Sequence, residues 1–206
     1  MAELSRVEII KLIALGNRLI LRAVDLSGLN LIKFNFFGAD LTGVNLSDAD
    51  LSGCNFSEAD LSEADLSGAN LSGANLTKTN FFKANLIEAD LSEANLTNSD
   101  FSRADLSGAN LLLANLTNSI LIEADLLKAN IFEANLKNCD LSYANLKNAD
   151  LSFTKLNGTI FKGSILRETK FYKAKFRGAI LKEADFSDAN IKDAIIDGAD
   201  FSEDNF

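Results

Sequence analysis

The 206-residue chain has a formal net charge of -9 and contains no proline, tryptophan or histidine. Without histidine it lacks the usual general base near neutral pH and the commonest imidazole metal ligand, and its acidity disfavours non-specific phosphate binding, so nucleic acid is not an expected partner. No run of 18 apolar residues occurs, and Glu3 and Glu8 stand where a secretory leader is basic and then apolar; no membrane partner is expected, and the expected location is cytoplasmic.

Residues 1–16 do not repeat, and residues 1–20 are expected to form an N-terminal capping helix and lead-in. Ser5 and Glu8 have capping-box spacing, Val7, Ile9, Ile10, Leu12, Ile13 and Leu15 supply a broad apolar face, and Gly16 stands where a helix stops. Arg6 and Lys11 are too few basic residues for a membrane-surface anchor, so the helix is expected to cover one end of the repeat array that makes up the remainder of the chain. The first units of that array are degenerate, with Val24, Leu29 and Phe34 where a small residue is usual, which predicts a wider first layer beneath the helix.

From Leu21 to Phe206 a large apolar residue, the centre of each unit, recurs at every fifth position without insertion. The consensus is Ala, then Asp or Asn, then Leu or Phe, then two mostly polar residues, seen in Ala59-Asp60-Leu61-Ser62-Glu63. A five-residue period fits no helix, where successive leucines fall 140° apart, and no flat strand, where five being odd sends alternate leucines to opposite faces. The chain must turn once per unit. Eleven of the 12 glycines lie two residues after a centre, where a corner demands positive φ. Each unit is therefore expected to be a very short strand plus a corner, with the centre and the Ala inward and the other three positions outward. Cys54 and Cys139 occupy the Ala slot about four layers apart, roughly 19 Å at strand spacing, and are expected to be reduced and buried.

Sequence does not settle how many units close a turn: the ten Phe at centres fit a 15-residue period about as well as a 20-residue one. The Ala-Asp/Asn-Leu-X-X array from Leu26 to Phe206 resembles the pentapeptide repeat family, which is especially common in cyanobacteria. That resemblance implies an all-β fold over residues 21–206: a right-handed quadrilateral β-helix with four units per turn, about nine coils, and a length of roughly 45 Å at strand spacing.

Three departures from the consensus are candidate surfaces. Lys155, Lys162, Arg167, Lys170, Lys173, Lys175, Arg177 and Lys182 face only two acidic residues between 155 and 183, a local +6 that leaves -15 elsewhere. This basic collar reads as docking for an acidic partner or phosphate, or as solvated surface, since its members spread over four faces. Large apolar residues also hold outward positions, among them Phe82, Ile87, Leu113, Ile122, Leu127 and Tyr143; with a 20-residue layer, Leu112, Phe132 and Tyr172 align on one face with Phe153 one residue off, a stripe suited to protein binding. Finally, Asp40, Asp48, Asp50, Glu58, Asp60, Glu63 and Asp65 lie in a stretch free of Lys and Arg. In the quinolone-resistance members of the family an acidic rod imitates DNA and occupies a topoisomerase. This chain departs from them: no loop interrupts its register, and no C-terminal helix is expected after the repeats.

No nucleophile–base pair, phosphate loop or dinucleotide motif is present, outward Thr is scarce for ice binding, and no cofactor or metal site is expected. The expected function is a non-enzymatic rod with a protein-binding or scaffolding surface and an unidentified protein partner, acting as a monomer or an end-to-end dimer through its C-terminal layer. The alternative is a DNA-mimicking binder of DNA gyrase or another topoisomerase.

Overall fold

The computed structural model describes residues 5–14 and 18–202. Its first element, α1, spans Arg6–Ala14. The Ser5 N–H and hydroxyl donate to Glu8 Oε2 at 2.8 and 2.7 Å, and the Glu8 N–H donates to Ser5 Oγ at 3.4 Å, closing the capping box. These bonds hold the Glu8 carboxyl below its ordinary range. Less of α1 faces inward than its sequence implies. Ile9 is buried and Leu12 packs against the core, whereas Val7 and Ile10 are exposed, because the 100° advance per residue carries 7 and 10 away from the side that holds 9 and 12. Leu15, Gly16 and Phe206 lie outside the described residues, as do the side chains of Arg6 and Ile13.

From Ile20 onward the chain winds into a coil held by single-residue parallel bridges, each joining residues 20 apart, from Ile20–Asp40 to Ile180–Asp200. Twenty residues are four units, which decides between the two periods the phenylalanines allow. Inside, Phe36 stacks on Phe56 and Phe81 on Phe101 with ring centroids 4.7 and 4.5 Å apart, the same 20-residue step. The expected short strand shrinks to one bridged residue per unit, the Asp/Asn position, because the corner begins as soon as the centre has been placed.

Hydrogen bonding explains the consensus position by position. In a representative unit, the Asp60 N–H donates to the Ala39 carbonyl at 2.9 Å and the Leu61 N–H to the Asn80 carbonyl at 2.8 Å. The Glu63 N–H donates to the Phe82 carbonyl at 2.9 Å, and the Ala64 N–H closes the turn on the Leu61 carbonyl at 3.1 Å. Only the N–H of Ser62 finds no backbone acceptor, and it donates to Asp60 Oδ1 at 3.0 Å. Every backbone donor of the unit is thereby satisfied, and the fifth bond requires a short side chain with an oxygen in the second slot. The Asp/Asn position is consequently structural and mostly half-buried, where a fully outward residue was expected.

The third residue of each turn has positive φ at every unit from Ala23 to Gly198, 11 of them glycine and 25 not, including Lys, Glu, Leu113, Tyr143 and Phe153. The centres from Leu21 to Phe186 are buried with the Ala slot beside them in one continuous core. Val24, Leu29 and Phe34 are half-buried against that core, which also takes in Ile9 of α1. Where the Ala slot carries a hydroxyl or thiol, it donates to a centre carbonyl: Thr79 to Phe56 at 2.8 Å, Thr159 to Leu136 at 2.7 Å, Cys54 to Leu31 at 2.9 Å and Cys139 to Leu116 at 2.8 Å. Both cysteines are free and buried, and loss of solvent pushes their thiols up to about 11 and about 12. The core opens toward the last described units, where the centres Ile191 and Ile196 are 36% and 45% exposed.

Candidate docking surface

A coil of 20 residues brings one corner of each successive turn into register, and the corner after Leu111, Ile131, Leu151 and Phe171 collects the aromatic side chains. Phe132 lies 5.3 Å from Phe153 between centroids, and Phe153 lies 5.3 Å from Tyr172 in an edge-to-face pair at 85°. The arrangement comes from the turn. Phe132 and Tyr172 hold its second position and lie half-buried along the coil, whereas Phe153 holds the positive-φ third position, 39% exposed, with buried Ser152 beside it in the chain. Leu112 takes the same second position one coil before Phe132, and Leu113, 48% exposed, extends the apolar surface at the third. The Lys173 ammonium sits 5.7 Å from the Phe153 ring and 5.0 Å from the Tyr172 ring, a cation–π contact to both.

The basic residues do not converge as one group. Lys162 and Lys182 lie one above the other on one side, the first beside the Tyr143 phenol, which raises its pKa, while Arg167 stands on another. Lys170 pairs with Asp150 at 3.5 Å. Lys155 and Lys175, however, are bridge partners on successive coils, two residues beyond Phe153 and Lys173 along the chain. Arg177 comes after Lys175 at the next corner, and Lys137 occupies the position of Arg177 two coils earlier. A basic flank therefore adjoins the aromatic corner. Lys137 falls outside the collar drawn from sequence, since only the 20-residue step puts it in line with Arg177.

The same segment loses its second-slot oxygens, because Lys155, Ile160, Ile165, Lys170, Lys175 and Ile180 replace Asp or Asn. The N–H groups of Asn157, Lys162, Arg167, Tyr172 and Arg177 have no hydrogen-bond acceptor among the described residues, and of these Asn157, Tyr172 and Arg177 lie at the aromatic corner or the next one. The sequence shows the substitution plainly, but its meaning depends on knowing what that oxygen does elsewhere.

Asp48 and Asp65, Asp50, Glu58, and Asp40 with Asp60 and Glu63 divide among four sides of the coil, so the acidic stretch rings the rod and lines up along no single side. Asp40 is buried, salt-bridged to Arg22 at 2.5 Å, and its carboxyl is lowered to about 2 chiefly by the Arg22 hydrogen bond. Thr77, Thr97 and Thr117 form an unforeseen ladder on one side, but their hydroxyls donate to Asn75, Asn95 and Asn115 at 2.8, 2.7 and 2.6 Å. Among the described residues no helix is long and apolar enough to cross a membrane, and no cluster of metal-ligating side chains occurs.

The family model for pentapeptide repeats matches in eight copies that together run from residue 20 to residue 203. No curated protein matches. Among solved structures, HetL, a pentapeptide repeat protein involved in heterocyst differentiation regulation from the cyanobacterium Nostoc sp. strain PCC 7120, is 29% identical over 98% of both chains with a TM-score of 0.55. QnrB1, a plasmid-mediated fluoroquinolone resistance protein, shares the fold at 20% identity, covering 91% of this chain and 88% of its own with a TM-score of 0.51. The uninterrupted register, the 20-residue coil and the family match establish that this chain belongs to the pentapeptide repeat family, whose members fold as right-handed β-helix solenoids.

Proposed function

We propose that this protein is a non-enzymatic scaffold: a quadrilateral rod of about nine coils over residues 21–206, covered at one end by the helix within residues 1–20, that binds a protein partner in the cytoplasm. The observation that carries this reading is the run of touching rings at Phe132, Phe153 and Tyr172, continued by Leu112 and Leu113. Contiguous exposed apolar surface is uncommon on soluble proteins, and aromatic anchors dominate interface energetics. The carboxylates sit at repeat positions where many of them accept turn N–H bonds, which is a structural use and supplies no converging pair for catalysis. HetL, similar over nearly its whole length, is involved in regulation, and a regulatory scaffold is the role we assign here.

The test is affinity capture with wild type and with Phe132→Ser/Tyr172→Ser, both verified by far-UV circular dichroism. Partners retained by wild type and lost by the double variant support the scaffold; an unchanged set of partners removes the stripe from the function. A gyrase supercoiling assay addresses the DNA-mimic alternative, for which the ring-like spread of acidic residues predicts no inhibition at micromolar protein.

A further inference from the structure

We infer that the segment docking on this corner is an acidic peptide carrying a large apolar side chain, whose carboxylates meet the basic flank and the unclaimed turn donors while its apolar group packs on the rings. This inference rests on the docking reading above and names the chemistry of the partner. Two independent observations point the same way. Lys137, Lys155, Lys173, Lys175 and Arg177 make no ion pair among the described residues, although the protein as a whole is acidic. The N–H groups of Asn157, Tyr172 and Arg177 lack the Asp or Asn oxygen that serves the equivalent donor in most other units. Local cations and open backbone donors together present what a carboxylate needs: charge and directed hydrogen bonds.

A nucleic acid strand needs much the same charge, but the geometry favours the peptide. Stacked bases require open ring faces. Here Phe132, Phe153 and Tyr172 already touch one another, and Lys173 lies over two of them, so no base inserts between the rings. A long polyanion would also meet the acidic remainder of the rod, whereas a short peptide senses mainly charges within a Debye length, about 8 Å at physiological salt.

The experiment selects peptides from a random dodecapeptide display library on the intact protein and then measures the enriched peptides by fluorescence anisotropy. Lys155→Asn/Lys175→Asn is the decisive variant, because it removes two charges while returning the turn oxygens, so its melting temperature should equal or exceed that of wild type. The expected result is enrichment of net-negative peptides with at least one large apolar residue, bound about tenfold or more weakly by this variant and weakened by raised salt. Phe153→Ser should also lose them. Enriched peptides that are neutral and bind the asparagine variant equally well would overturn the acidic partner and leave apolar docking standing. Peptides indifferent to Phe153→Ser and to Phe132→Ser/Tyr172→Ser, or no enrichment, would overturn both readings. Tighter binding of a fluorescent oligothymidine, lost in the same variants, would replace the peptide with nucleic acid.

Discussion

At the level of single residues, the repeat is a solution to one hydrogen-bonding problem and one conformational problem. The second-slot oxygen solves the first: Asp105 accepts the Ser107 N–H at 2.9 Å, and Asp105→Ala should cost about 1 kcal/mol in urea denaturation while Asp105→Asn should cost little. The positive-φ corner is only partly solved, since glycine is absent from most of these sites. A left-handed L-residue is strained by about 1–2 kcal/mol, partly offset in a glycine variant by the freer unfolded chain. Glu63→Gly should therefore stabilise by up to about 1 kcal/mol, and Gly73→Ala, with φ of +62° and open space around it, should destabilise by a similar amount. Asp40 supplies a pH test. Its folded pKa of about 2 lies below the ordinary carboxylate value, so its contribution is complete above that value and disappears as pH falls toward 2. Arg22→Gln should raise the Asp40 titration seen by carboxyl NMR; an unshifted titration would show that the ion pair is not the cause.

The structural element is the five-residue unit, and its equivalence to its neighbours makes an unusual deletion possible. Removing residues 144–148 leaves every later residue with a partner 20 positions away, but rotates Phe153, Lys155 and Tyr172 by one side relative to Phe132. Far-UV circular dichroism and melting should change little, whereas docking at the aromatic corner should be lost. Survival of binding would show that alignment of these side chains is irrelevant. α1 obeys different rules from the coils: its capping box was legible in Ser5 and Glu8, but which apolar residues it buries was not, because that depends on how the helix rotates against the first layer.

For the molecule as a whole, a stack in which each layer bonds only to its neighbours should be most stable in the middle and loosest at the ends. Leu106→Ala, fully buried, should cost about 2–5 kcal/mol, and Ile191→Ala, already 36% exposed, less than about 1 kcal/mol. Amide hydrogen exchange should likewise be slowest in the central coils. The linear order of residues was enough to determine the corner in each unit, the inward leucines, the buried cysteines and the family, because each is dictated by a period of five imposed on a chain with fixed bond geometry. It did not determine the aromatic corner. Phe132, Phe153 and Tyr172 touch, and Lys137 falls in line with Arg177, only because a coil closes after 20 residues, a length set by how four units pack their side chains around a shared axis; that the N–H groups of Asn157, Tyr172 and Arg177 find no acceptor among the described residues became visible only once that folding showed which oxygen each was missing.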